Sequence, residues 1–278
     1  MTQRIVHRSQ LNIDNQNYST NDLEKESMPN LPDVLWLNVS PSLKCFDRPL
    51  LRHLAQHQTV AQWEYYQTLD EPSSFEVALT LLHDYVKCSN HPMHLVGHST
   101  SGLLGLLYAQ RHPERVRSLT LLSVGIQPAI DWKTHYYNYR RLLPCPRQKI
   151  LQRMVGELFG DTPRSMANEV VKLLEQDLEQ TLSLHHLFQQ VNLPPIHVRV
   201  PLLICGSVDD VILDPNHLRD WRSHFYQSTS RLWICPGGRY FFHYFYSQQV
   251  GEEMLSFWQS TSSKNNLNYV PKLLKMSA

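Results

Sequence analysis

The sequence has almost no excess charge of either sign. Its 26 Lys and Arg stand against 25 Asp and Glu, for a formal net charge of +1, and no long single-sign block occurs. A nucleic-acid partner is therefore not expected, because phosphate binding needs a basic patch. Long apolar runs are also missing. None approaches the ~18 residues of a membrane span, and the N-terminus lacks the apolar core of a secretory signal. The expectation is a cytoplasmic chain without a membrane span. Cysteine is sparse: Cys45, Cys88, Cys145, Cys205 and Cys235 are odd in number, far apart and without a CxxC pair. That pattern argues against both a disulfide framework and a zinc site. Histidine is abundant, at 15 residues. Yet His53 and His57, at i, i+4 spacing, have no acidic residue to complete a zincin-like motif, and His185-His186 adjoin in a stretch read as a polar helix. No metal and no cofactor is expected.

What is present is 42% hydrophobic residues over 278 positions, enough to bury one large core. The pattern is most regular between Met93 and Val124. An apolar strand from Met93 to Val96 follows Asn90-His91-Pro92. A helix from about Ser101 carries Leu103, Leu104, Leu106, Leu107, Tyr108 and Ala109 and stops at Pro113, and a second strand ends at Val124. The helix is apolar over most of its circumference, which predicts burial against a parallel sheet in a βαβ unit. Earlier in the chain, strands are predicted at Val34–Leu37 and Val60–Tyr65. Helices are predicted around Pro49–His57 and over Phe75–Cys88, where Ala78, Leu81, Leu82 and Tyr85 share a face. Alternation resumes with a strand over Val200–Cys205, a helix from Pro215, a strand at Leu232–Cys235 and a helix from Ser247 to Gln259. No strand is evident from about Gln127 to Val198, which reads as helical and is rich in aromatic and basic residues. Residues 1–30 are polar and aperiodic, a flexible arm or at best a short edge strand.

Between strand and helix of the central unit lies Gly97-His98-Ser99-Thr100-Ser101-Gly102. It resembles the nucleophile elbow G-x-S-x-G of the α/β-hydrolase superfamily, a strand-to-helix turn that holds a serine in a strained conformation. Small residues flank such a serine because a side chain two positions away on either side would meet neighbouring backbone. Here Ser101 stands at the second flanking position. The resemblance covers residues from about Val34 to Gln259. It implies a mostly parallel sheet flanked by helices on both faces, with a core over 31–126 and 199–262, a helical cap over 127–198 and a C-terminal tail over 263–278.

The resemblance also implies site residues. Ser99 would be the nucleophile. Asp209, in Gly206-Ser207-Val208-Asp209 after a strand, falls on the acid's position. The oxyanion would be held by the N–H of Thr100 and that of Ser40 or Val39 in the loop Asn38-Val39-Ser40-Pro41-Ser42. The family histidine would lie in Pro236-Gly237-Gly238-Arg239-Tyr240-Phe241-Phe242-His243-Tyr244, but its usual position carries Tyr240. A tyrosine holds its proton to pKa ≈ 10 and is a poor base at neutral pH, and the nearby histidine is His243. Two functions follow, with acyl transfer to an acceptor other than water as a minor third that would use the same acyl-enzyme. One is a serine hydrolase of a small ester or amide with Ser99, His243 and Asp209 as a non-standard or impaired triad. The other is a non-catalytic member that binds a small ligand or a partner protein.

Overall fold

A computed structural model describes residues 4–7, 32–67, 74–183, 185–186, 189–190 and 197–265. Most of the polar arm, residues 68–73 and the tail beyond Asn265 lie outside the described residues. Six strands form a parallel sheet in the spatial order β3 (Val60–Glu64), β2 (Val34–Asn38), β4 (Met93–His98), β5 (Val116–Leu122), β8 (Leu202–Ser207) and β9 (Arg231–Cys235). β1 (Arg4–His7) adds an antiparallel strand along the outer edge of β3, pairing Ile5 with Trp63.

Helices cover both faces, as expected for a parallel sheet whose central strands are almost wholly buried. On one face α2 (Phe75–Val86) and α3 (Thr100–Arg111) pack Leu79, Leu82, Leu104 and Leu107 against Leu37, Leu95, Leu119 and Leu121. On the other, α1 (Arg48–Leu54) and α9 (Ser247–Asn265) bring Leu50, Leu54, Met254 and Phe257 onto Trp36, Val96 and Leu203. Ten consecutive residues of α3, Thr100 to Ala109, are buried, which matches its all-round apolar sequence. α9 continues beyond Gln259 to Asn265.

Between β5 and β8 stand α4 (Trp132–Leu142), α5 (Arg147–Phe159) and α6 (Arg164–Gln180). They form a third apolar cluster with Leu43 and Phe46 after β2 and with Tyr240 and Phe241 after β9. This interval also holds a short antiparallel pair, β6 (His185–His186) with β7 (Gln189–Gln190). His185 and His186 are therefore strand residues, contrary to the helical reading. The helix has already ended: Thr181 leaves α6 with extended backbone and its Oγ1 donates to the carbonyl of Asp177, a local bond that competes with continuing the helix.

One core histidine makes acid sensitivity measurable. His94 of β4 is 3% exposed, shares a hydrogen bond with Ser118 Oγ and stacks on Trp258. Burial first, and then the Arg117 charge, lower its pKa to about 3. An unfolded histidine titrates near 6.5, so between pH 3 and 6.5 the unfolded chain binds a proton that the native state refuses, and stability falls as pH falls through that window. Acidifying from pH 7 to pH 5 is expected to cost wild type about 2 kcal/mol more than it costs His94→Phe. Urea midpoints of the two proteins at both pH values measure the difference; equal losses would contradict a neutral buried His94.

Candidate active site

Strand order reverses between β2 and β4, and an open parallel sheet forms its crevice beyond the strand ends at such a point. Ser99 follows β4 there with φ 54 and ψ −127, a backbone conformation rarely taken by a residue with a side chain. The close approach that demands glycine lies between Gly97 and Gly102. A Cβ on Gly97 would stand 2.5 Å from the Gly102 nitrogen, and one on Gly102 would stand 2.6 Å from Val124 Cγ2. The second small position is thus Gly102, three residues after the serine, and not the position two residues after it that Ser101 occupies.

Ser101 is accommodated because its side chain turns toward the loop after β2, where its Oγ accepts the Val39 N–H at 3.0 Å. The neighbouring Ser40 N–H donates to Asn38 Oδ1 at 2.8 Å. Both backbone donors considered for an oxyanion in this loop are therefore engaged by side chains of the protein itself. Thr100, the other expected donor, opens α3, which has no side-chain cap. Its own hydroxyl donates to Asp131 Oδ2 at 3.0 Å, and Asp131 in turn caps α4.

The structure brings Tyr240, and not His243, to Ser99. The Tyr240 hydroxyl donates to Ser99 Oγ at 2.5 Å. The segment between β9 and α9 is helical, a 3-10 turn over Arg239–Phe241 followed by α8 (Phe242–Phe245), and its backbone is held on both sides of Tyr240. The Arg239 N–H donates to Asp209 Oδ1 at 2.8 Å, while the Tyr240 carbonyl accepts from His98 Nε2 at 2.9 Å and from Ser123 Oγ at 2.8 Å. Asp209 lies beyond the end of β8, as expected, but it anchors this turn and orients no imidazole. Burial alone would raise its pKa. The hydrogen bonds from Ser207 Oγ and the Arg239 N–H outweigh that and hold the carboxyl below its ordinary range. Asp210 is buried and closes its turn through the N–H groups of Ile212 and Leu213.

His243 is wholly buried beneath the turn, with Nε2 3.0 Å from Asp47 Oδ1. Trp36 Nε1 donates to the other oxygen of Asp47 at 3.1 Å. Burial lowers the His243 pKa to about 3, leaving the ring neutral at neutral pH. Burial likewise raises the Tyr240 hydroxyl well above its usual range, and the nearby Asp131 charge adds to that. A phenol so placed holds its proton and takes none from Ser99.

A family model of the alpha/beta hydrolase fold matches residues 87–170. An uncharacterised protein of Nostoc sp. (strain PCC 7120) is 45% identical over 227 residues, spanning 82% of this chain and 90% of the relative. One of Synechocystis sp. (strain PCC 6803) is 41% identical over 238 residues, spanning 86% and 94%. A thermophilic esterase superposes with a TM-score of 0.61 at 16% identity over 84% of this chain and 91% of its own. Naproxen esterase from Bacillus subtilis does so with 0.62 at 16% over 83% and 85%. This chain belongs to the α/β-hydrolase superfamily.

At such identities the solved structures share the fold with this α/β-hydrolase chain and nothing finer. Sequence reasoning missed three of its site residues. Asp47 and His98 carry no motif of their own, and both line the small cavity beside Ser99. Ser101 did carry a signal, a hydroxyl where glycine is usual, but nothing local told that it would reach Val39. Among the described residues no group of three or more metal-ligating side chains occurs, and no helix is long and apolar enough to cross a membrane.

Proposed function

We propose that this protein is a non-catalytic α/β-hydrolase that keeps the scaffold and binds a small ligand in place of turning over an ester at Ser99. The observation that carries this reading is the Tyr240 hydroxyl on Ser99 Oγ at 2.5 Å. Acyl transfer needs a base within about 2.6 to 3.2 Å of the serine proton, with a pKa near the working pH. Tyr240 occupies that place as a donor. The bonds made by the Val39 and Ser40 N–H groups support the same reading, since each would have to break before an oxyanion could be held there. Helices α4 to α6 act as the cap, and the Thr100–Asp131 bond joins them to the serine turn.

The alternative, a serine hydrolase of a small ester or amide, is favoured by one observation. The strained backbone of Ser99 at φ 54 is retained, and such strain persists only where the surroundings enforce it. A fluorophosphonate probe and p-nitrophenyl butyrate separate the two readings. Wild type is expected to remain unlabelled at Ser99 and to hydrolyse the ester at the rate of Ser99→Ala. Labelling at Ser99, or turnover a hundredfold above Ser99→Ala, would overturn the non-catalytic reading.

A further inference from the structure

The cavity beside Ser99 offers about 20 Å³, room for about one water molecule. A second cavity of about 480 Å³ opens between the segment after β5, the N-terminal half of α4, the turn after Asp210 and α7 (Pro215–Leu218). That volume lies within the ≈ 300–1,000 Å³ typical of small-molecule sites. The two cavities share no lining residue, and the short segment from Ile130 to Trp132 divides them, with Ile130 on the large one and Trp132 on the small one.

The larger cavity is lined by apolar residues, two acids, and the polar Gln127, His135 and His217. Ile212, Leu213 and Leu218 are buried beneath it and supply an apolar floor. Asp214 and Asp220 stand at its exposed rim, and no Lys or Arg lines it. Arg219, between them in sequence, is turned to Asn216 Oδ1 at 3.2 Å. Asp214 accepts the Asn216 N–H at 2.8 Å as a helix cap. Neither carboxylate has an ion pair among the described residues. His135 brings no positive charge, because burial lowers its pKa.

We propose that this second cavity is a ligand site for an amphipathic organic cation, with a compact aromatic or branched body on the Ile212–Leu213–Leu218 floor and an ammonium group at Asp214 and Asp220. Apolar contact provides most of the affinity. The carboxylates provide the choice of charge, modestly, because they are exposed and screened by salt. The proposal rests on the ligand-binding half of the reading above, and its failure can be told from the failure of the non-catalytic half.

Isothermal titration of the full chain at pH 8 and low salt would compare 4-phenylbutylammonium, 4-phenylbutanol and 4-phenylbutyrate. The cation is expected to bind about three- to tenfold more tightly than the alcohol, the scale of two exposed charge pairs, and the carboxylate more weakly than either. Asp214→Asn with Asp220→Asn, which keeps the cap acceptor, should bring the cation down to the affinity of the alcohol. Val211→Trp, at a half-exposed position on the cavity wall, should weaken all three, and Ser99→Ala should change none. Absence of binding by all three, equal binding of the carboxylate, or indifference to Val211→Trp would each overturn the site. Ester turnover together with cation binding would overturn only the non-catalytic reading.

Discussion

Tyr240→His combined with Ser101→Gly is expected to raise p-nitrophenyl butyrate hydrolysis on the order of 10²-fold above wild type, while each single substitution gains less than about tenfold. The first change replaces a hydroxyl that donates to Ser99 Oγ with an imidazole able to accept its proton. The turn on which it sits is already anchored by the Arg239 N–H on Asp209 and by His98 and Ser123 on the Tyr240 carbonyl. The second change frees the Val39 N–H from Ser101 Oγ. An oxyanion donor is worth about 10² to 10³ in rate and a positioned base about 10² to 10⁴, but the two act as a unit, so either alone brings little. The steric demand for glycine is met by Gly97 and Gly102, so removing the Ser101 side chain leaves the turn in place. Initial rates of the four proteins, with Ser99→Ala added to the double variant as control, test this. A double variant no faster than wild type would mean that more than the base and one donor has been lost.

Removing either partner of the Lys133–Asp177 pair is expected to destabilise the protein by about 3 to 5 kcal/mol, whereas Lys133→Met with Asp177→Leu should stay close to wild type. Lys133 of α4 is 1% exposed and Asp177 of α6 is wholly buried, with Nζ 3.1 Å from Oδ2. Ser42, in the segment that follows β2, donates to Asp177 Oδ1 at 3.1 Å, and Lys133 also donates to Thr181. The network therefore ties α4 and α6 to the segment beside Ser99. Asp177→Ala would leave an ammonium group buried without a counter-charge, and that desolvation is the main cost. An apolar pair of similar volume carries no such cost. Urea denaturation of the two single variants and the double measures both halves. Single losses under about 1 kcal/mol, the range of exposed ion pairs, would contradict the buried-pair account.

The sequence by itself determined the alternation of strand and helix, the buried α3 and the serine turn at the end of β4. Each of these is written in local periodicity and in the size of a few neighbouring residues. It also placed Asp209 beyond a strand end. The split of the interval after β5 into helices and the β6–β7 pair was less legible, because Thr181 ends α6 through a local side-chain bond rather than through a break in pattern. Which side chain meets Ser99 was decided only by the tertiary structure. Tyr240 and Ser99 are 141 residues apart, His243 and Asp47 196 apart, and Val39 and Ser101 62 apart. The order of strands brings these partners together, and no periodicity along the chain records that order. His243 was drawn to the buried Asp47 and Trp36 and away from the serine, because a buried polar group takes the partner that the packed core presents to it.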